Sequence, residues 1–189
     1  EKIKQFEKDG SHEYIFAFEE SYGYLCGDYA RDKDAVTASM LIAEMAAYYR
    51  TQGKTLYDAM EEMYEKYGYY CEQTISIVMP GVSGLQRMKE LMQELRDKPL
   101  TAVGPDKVDF TRDYMPGTHT CMADGRVDQM ELKGQNVMYY ELEGGTTFII
   151  RPSGTEPKVK VYIMAKGANK AEAEAKVDVL AAAAKEIVK

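Results

Sequence analysis

The first 71 residues have a hydrophobic pattern that predicts helices around one buried strand. Apolar side chains fill positions 14–18 without interruption, which is typical of a strand covered on both faces in a parallel sheet. Residues 35–49 are apolar almost all round and predict a core helix. Helical spacing also predicts the end of a helix at residues 1–9 and a further helix at 55–67.

The remainder of the chain, residues 72–189, predicts a different arrangement. The predicted elements are a strand at 74–79, a helix from 83 that ends at Pro99, a strand at 101–108, a hairpin at 137–150, a strand at 158–164 and a final helix. Residues 109–136 are polar and predict a long irregular excursion. The predicted fold class is therefore α/β and α+β. Residues 1–71 form the remnant of a parallel α/β domain, and residues 72–189 form a small α+β domain with an antiparallel sheet and helices on one face.

Polar side chains at three predicted helix starts can accept hydrogen bonds from first-turn amides. They are the pair Thr55 and Asp58, the pair Ser83 and Gln86, and Asn169. Apolar positions after Ser83, from Leu85 to Leu95, follow helical spacing and are predicted to face inward.

Composition excludes several classes of function. The 189 residues carry a net charge of -7 and no long basic block, which argues against a nucleic-acid surface. No apolar run approaches the ~20 residues of a membrane span, and no signal peptide is apparent. Three separated cysteines and two isolated histidines predict free thiols in a reducing cytoplasm and no zinc site. The charged start without Met predicts a piece of a longer chain.

Three aspartates in the polar stretch, Asp113, Asp124 and Asp128, invite comparison with a metal site. Their spacing matches no calcium-binding loop. We therefore assign them to solvent.

The most informative stretch is residues 148–158, where an apolar strand ends at Arg151 and a Pro/Ser/Gly/Thr turn follows. The chain returns with Lys158 and Lys160 on one face of the next strand. Hydroxyls, a flexible backbone and cations suit a phosphate dianion, which offers many acceptors and no donors. An ordinary hairpin turn is the alternative interpretation.

A second polar stretch follows the apolar run at 14–18. Glu19 and Glu20 stand at the predicted carboxyl end of that strand, where open α/β sheets bind ligands. They either line such a crevice or begin a solvated loop.

Three segments together resemble the α-D-phosphohexomutase superfamily, and most closely its bacterial phosphoglucomutase and phosphopentomutase-like branch. They are Phe-Glu-Glu-Ser-Tyr-Gly-Tyr at 18–24, Arg-Asp-Lys-Asp at 31–34 and Arg-Pro-Ser-Gly-Thr-Glu-Pro-Lys at 151–158. The resemblance implies that residues 1–71 are the carboxyl-terminal part of the third domain of such an enzyme and residues 72–189 its fourth domain.

The resemblance also implies substrate contacts. The residues concerned are Glu19, Ser21, Lys33, Arg151, Ser153, Gly154, Thr155 and Lys160. Glu19 and Ser21 match positions that grip ring hydroxyls, and Lys33 matches a lysine that approaches the substrate. The hairpin loop matches the loop that holds the non-reacting phosphate, with Lys160 as a second basic residue.

The implied activity is that of an isomerase, an intramolecular phosphotransferase of phosphorylated sugars. A phosphoserine and a sugar bisphosphate intermediate carry the phosphoryl group, and Mg²⁺ is held by aspartates. The Ser-His and Asp-Gly-Asp motifs for these steps do not occur in the chain; Ser11-His12 and Asp124-Gly125 lack the required setting. The expectation is a substrate-binding part without catalytic or metal residues, inactive without further amino-terminal domains. A stand-alone sugar-phosphate-binding module is the alternative.

Overall fold

The computed structural model describes residues 2–19, 22–154 and 156–189. It divides into two compact units, one ending at Met63 and one beginning at Tyr64. This division precedes the predicted boundary after residue 71 and falls within the last helix before Tyr69, where the first strand of the second unit begins. Among the described residues, no helix has the length and apolar character needed to cross a membrane.

The first unit contains three helices and a small hairpin. Its elements are α1 (Lys2–Asp9), β1 (Phe16–Phe18), β2 (Tyr24–Cys26), α2 (Ala35–Thr51) and the greater part of α3 (Leu56–Tyr67). β1 and β2 pair antiparallel, with Phe16 opposite Cys26.

The expectation that the strand at 14–18 is buried is wrong. Ile15 and Phe18 are 75% and 74% exposed. The strand pairs with β2 alone among the described strands, so a sheet covering both of its faces does not form around it. The apolar run correctly indicated a strand. Apolar side chains favour burial, but they do not show which other elements pack against the strand.

The predicted core helix forms as α2, yet none of its residues is buried. Val36 is 80% exposed, and Tyr48 is 61% exposed. α2 packs against β2. A helix that is apolar all round needs neighbours on several sides to be buried, and the described part of this unit supplies too few of them.

The second unit is built on one antiparallel sheet. Its elements are β3 (Tyr69–Val78), α4 (Gly81–Asp97), β4 (Ala102–Val103), β5 (Asp106–Asp113), β6 (Thr118–Cys121), β7 (Val127–Gln129), β8 (Met138–Leu142), a 3-10 turn (Glu143–Gly145), β9 (Thr146–Pro152), β10 (Lys158–Gly167) and α5 (Lys170–Ile187). The strand order is β3-β10-β9-β8-β5-β6-β7, and β4 pairs with β5.

The hydrophobic core lies on the side of the sheet covered by α4 and α5. Alternate residues of β8, β9 and β10 are buried there, which is the period expected of a sheet with one covered face. α5 contributes a stripe that includes Val177 and Leu180, and α4 contributes Met88, Leu91 and Met92. The α+β fold class is confirmed.

The predicted irregular excursion at 109–136 is wrong, because β6, β7 and most of β5 occupy it. Main-chain pairing joins these strands, β5 to β6 and β8 and β6 to β7, and several of their side chains are polar. Thr111 is buried, and Arg112 on β5 forms an ion pair with Glu141 on β8. The predicted strand at 101–108 is also divided in two by a turn at Gly104, whose φ is +57°.

The expectation that Asp113 faces solvent is wrong. Its carboxylate accepts from Arg96 Nε at 3.1 Å, and the two side chains are only 15% and 17% exposed. Arg96 also donates to the side chain of Asn136 at 2.5 Å, so it ties α4 both to the end of β5 and to the segment before β8.

Two of the three predicted helix caps are confirmed. The Thr55 hydroxyl accepts from the Asp58 amide at 3.2 Å, and the Asn169 side chain accepts from the Glu172 amide at 2.9 Å. The cap at Ser83 is wrong, because α4 begins at Gly81 and places Ser83 inside the first turn. The earlier start also leaves Leu85 49% exposed instead of facing inward.

Candidate functional site

The loop between β9 and β10 is closed by main-chain hydrogen bonds at its base. The Ser153 amide donates to the Lys158 carbonyl oxygen at 2.9 Å, and the Lys158 amide donates to that of Glu156 at 2.8 Å. The Met79 amide donates to the Pro157 carbonyl oxygen at 2.8 Å and so fixes the loop to the end of β3. These three hydrogen bonds define the base of the loop on both strands. Thr155 lies outside the described residues.

Two cations lie directly opposite each other where this loop leaves the sheet. Arg151 on β9 and Lys160 on β10 are cross-strand partners. They point away from the core, because their neighbours Ile150, Val159 and Val161 are buried. Like charges in this position destabilise a strand pair. Within the described part of the chain, neither cation has a carboxylate within ion-pair distance.

Glu156 and Lys158 form an ion pair inside the same loop. Lys158 Nζ lies 2.5 Å from Glu156 Oε2, and the lysine side chain is 22% exposed. The hydrogen bond and charge of Lys158, followed by the charge of Lys160, lower the pKa of Glu156. Lys158 is thus neutralised by a neighbour, unlike Lys160.

The anchor of the loop depends on a glycine that sequence reasoning missed. Gly84 in α4 approaches the end of β3 so closely that a Cβ would lie 1.9 Å from the Met79 carbonyl oxygen. Met79 is the residue whose amide holds the loop. The only sequence signal was a glycine within a predicted helix.

The first unit places a second polar group of residues around a cavity of about 230 Å³. Glu19, Gly23, Arg31 and Lys33 are among its lining residues. Lys33 Nζ lies 4.0 Å from Glu19 Oε1. It lies closer, at 3.1 Å, to Asp32 Oδ1, and the hydrogen bond and charge of Asp32, then the charge of Glu19, raise the pKa of Lys33.

Gly23 allows Glu19 and Lys33 to approach each other. A Cβ at this position would lie 2.3 Å from Lys33 Cδ and 2.5 Å from Glu19 Oε1. The Glu19 amide also donates to the Gly23 carbonyl oxygen at 2.9 Å, which closes the turn between β1 and β2. Gly23 is therefore a further residue of the site.

Asp34 fixes the segment that carries Lys33. Its carboxylate caps α2 by accepting from the amides of Val36 and Thr37 at 2.9 and 3.3 Å. Hydrogen bonds from the Thr37 and Tyr29 hydroxyls, together with these amides, lower the pKa of Asp34 from its ordinary value of 3.8 to about 2. The carboxylate thus stays ionised and holds the start of the helix.

The predicted site residues therefore fall into two groups. Glu19 and Lys33 line the cavity of the first unit, and Arg151, Ser153, Gly154 and Lys160 lie at the hairpin of the second. Ser153 is half-buried with its amide engaged, whereas Gly154 is exposed. Ser21 and Thr155 lie outside the described residues.

An antiparallel sheet with both helices on one face places the second unit among α+β proteins. More particularly, residues 3–67 match the family model for phosphoglucomutase/phosphomannomutase, alpha/beta/alpha domain III, and residues 122–182 match the model for the C-terminal domain of the same family. The chain belongs to the phosphoglucomutase/phosphomannomutase family, a family of isomerases.

Individual relatives agree with this assignment. A phosphoglucomutase of Staphylococcus haemolyticus is 37% identical over 158 residues, covering 83% of this chain and 28% of the relative. One of Staphylococcus aureus is 35% identical over 170 residues, covering 89% and 30%. The chain thus spans about 30% of the length of these relatives.

The fold also matches a solved structure. The open form of parafusin, a phosphoglucomutase from Paramecium, superimposes with a TM-score of 0.59 over 98% of this chain and 32% of that protein. The sequence identity is 17%, so this likeness concerns the fold alone.

Phosphoglucomutases generally depend on Mg²⁺. The residues that the structure describes contain no group of three or more His, Cys, Asp or Glu side chains arranged to hold a metal ion. They do not fit a magnesium site, and no chemical step is assigned to a metal within them.

Proposed function

We propose that this chain is the substrate-binding carboxyl-terminal part of a phosphoglucomutase-type isomerase. Such an enzyme interconverts a sugar 1-phosphate and 6-phosphate, or a pentose 1- and 5-phosphate. The observation that carries the proposal is the pairing of Arg151 with Lys160 at the mouth of the β9–β10 loop. Their mutual repulsion is relieved when an anion lies between them.

The charge of this pair matches its proposed ligand. A phosphate monoester carries close to two negative charges at neutral pH, and Arg151 and Lys160 together carry two positive charges. The planar guanidinium of Arg151 can donate two parallel hydrogen bonds to phosphate oxygens. Ser153, Gly154 and Thr155 would add donors from the turn, with Gly154 leaving room for the phosphate to approach the backbone.

The cavity of the first unit is proposed to receive the sugar. The Glu19 carboxylate is an acceptor for vicinal ring hydroxyls, and Lys33 donates to oxygen atoms of the ligand. The hydroxyl of Ser21 would add a further hydrogen bond to the sugar. The ion pair of Lys33 with Asp32 holds the ammonium near the cavity wall. The Glu19 carboxylate would bind ring hydroxyls, and Arg151 and Lys160 would bind the non-reacting phosphate. Neither interaction depends on which end of the sugar carries the reacting phosphate.

The proposed reaction needs the sugar to bind in both directions. A phosphoserine transfers its phosphoryl group to the sugar phosphate and forms a bisphosphate, which reverses its orientation. The other phosphoryl group then returns to the serine, so one phosphoryl group is gained and one lost per cycle. Positioning and charge neutralisation dominate such transfers. The serine and the Mg²⁺-binding aspartates are proposed to lie in further segments of a longer, cytoplasmic enzyme.

Titration calorimetry of the 189-residue chain with glucose 1,6-bisphosphate tests the proposal. A charge-assisted hydrogen bond contributes about 1.5–3 kcal/mol, so Arg151→Ala should weaken binding by roughly 10- to 100-fold. Lys107→Gln removes an exposed positive charge elsewhere on the second unit and serves as the matched control. Equal affinities of the parent and the Arg151→Ala variant would refute the assignment.

Glu19→Gln separates sugar recognition from phosphate recognition. We expect weaker binding of glucose 1,6-bisphosphate and unchanged binding of inorganic phosphate, because Glu19 reads hydroxyls only. Equal losses for the two ligands contradict this role.

A further inference from the structure

We propose that Glu156 and Lys158 form a positioning pair that fixes the shape of the phosphate loop, and that Lys160 alone of the two lysines supplies charge to the phosphate. This inference rests on the proposed function of the loop. It assigns opposite tasks to two lysines that stand two residues apart on the same face of one strand.

The first support is that Glu156 and Lys158 are joined twice. Their side chains form the 2.5 Å ion pair, and the Lys158 amide donates to the Glu156 carbonyl oxygen at 2.8 Å. The Lys158 carbonyl oxygen in turn accepts from the Ser153 amide and closes the loop. Lys158 therefore stands at the base of the turn, where its main chain closes the loop and its side chain pairs with Glu156.

The second support is the difference in surroundings between the two lysines. Lys160 lies between Arg151 on β9 and Ser76 on β3 and has no ion-pair partner among the residues described. Lys158 lies opposite Val78, with Glu156 as its partner. A dianion placed at the loop thus meets two uncompensated positive charges, those of Arg151 and Lys160, and one neutral pair.

The two possible effects of Glu156 on phosphate affinity have opposite signs. As a negative charge close to Lys160 it repels an incoming anion, and its removal would raise affinity. As half of the positioning pair it keeps the loop donors in place, and its removal would lower affinity. Our inference is that positioning dominates, because the Glu156 charge is already compensated by Lys158.

Calorimetric titration of the full chain with inorganic phosphate distinguishes charge repulsion by Glu156 from positioning by the Glu156–Lys158 pair. We expect Glu156→Gln to weaken binding by about two- to fivefold, the effect of losing one partly exposed ion pair. Lys160→Gln should weaken it by tenfold or more, since a charged donor to the phosphate is lost. The exchanged variant Glu156→Lys/Lys158→Glu restores the pair and should recover most of the parental affinity.

Urea unfolding of each variant shows whether a loss of affinity reflects loss of folding. We expect the unfolding midpoint of Glu156→Gln to remain close to that of the parent, because the replaced side chain of Glu156 is 58% exposed. A salt titration adds an independent measure, because the dependence of affinity on ionic strength should fall in Lys160→Gln and stay unchanged in Glu156→Gln.

Unchanged or tighter phosphate binding by Glu156→Gln overturns the inference. Equal weakening of phosphate binding by Lys158→Gln and Lys160→Gln, together with no recovery of affinity in the exchanged variant, overturns it as well. Failure of the proposed function is distinct from this result. It would show as no effect of Arg151→Ala, whereas failure of the positioning pair alone leaves that loss intact.

Discussion

Replacing Gly84 by alanine should destabilise the second unit, although the same change stabilises most helices. An alanine in a helix interior is favoured over glycine by about 1 kcal/mol. At Gly84 the added Cβ would lie 1.9 Å from the Met79 carbonyl oxygen, whereas real Cβ contacts are essentially never under 3.0 Å. α4 and the end of β3 must therefore separate by at least about 1.1 Å, the difference between these distances.

The cost of that movement decides the sign of the effect. Overpacking of a well-packed region costs about 1–3 kcal/mol, and the upper part of this range applies because the contact is with backbone. After subtraction of the propensity gain, we expect a net loss of about 2 kcal/mol in the free energy of unfolding. Met79 also holds the phosphate loop through its amide, so phosphate affinity should fall as well.

Urea unfolding followed by far-ultraviolet circular dichroism measures the first effect, and calorimetry measures the second. Ser83→Ala is the matched control, because it adds no atoms to the exposed neighbouring position of the same helix turn. It should change the free energy of unfolding by no more than about 0.5 kcal/mol. Equal or greater stability of Gly84→Ala would refute the close approach of α4 to β3.

Two further predictions concern charged groups. Arg96→Met leaves the nearly buried Asp113 without its cation and should cost about 3 kcal/mol in urea unfolding; parental stability would contradict this. The pKa of Asp34 is lowered to about 2, so the stabilisation by this carboxylate is complete above its ordinary value of 3.8 and is lost as the pH falls through about 2. A nuclear magnetic resonance titration of the Asp34 carboxyl carbon should give that midpoint, and one near 3.8 would contradict the cap.

The sequence predictions were most accurate for elements in which the cap or turn residues and the pattern of apolar positions indicate the same structure. The final helix has both Asn169 at its start and an apolar stripe that includes Leu180, and it forms as predicted. The β8–β9 hairpin likewise combines a glycine turn with alternating apolar residues. Local signals fix such elements because every level of the pattern points to the same structure.

The wrong predictions concern strands and burial that depend on contacts between residues far apart in the sequence. β5, β6 and β7 were overlooked because most of their side chains are polar and half-buried or exposed, so they leave no periodic apolar signal. Their strand character comes from main-chain pairing with neighbours far along the chain. The burial of residues 14–18 was wrong because hydrophobicity does not reveal which partners are present.

The candidate site could be predicted only in part. The motif around Arg151 predicted the loop, but the opposition of Arg151 to Lys160 depends on the register between β9 and β10. The role of Gly23 depends on the approach of Glu19 to Lys33, and that of Gly84 depends on the path of the chain from Met79 into α4. The sequence pattern shows neither.

The strand order of the second unit has a consequence for its biosynthesis. β3 pairs along its whole length with β10. Tyr69 therefore pairs with Gly167, 98 positions later in the chain, and Val78 pairs with Lys158, 80 positions later. Pairing over such distances slows folding. Residues up to Pro157 must therefore be synthesised before the β9–β10 loop acquires its hydrogen bond to Met79. A nascent chain halted earlier leaves the β10-facing edge of β3 unpaired and open to neighbouring polypeptides.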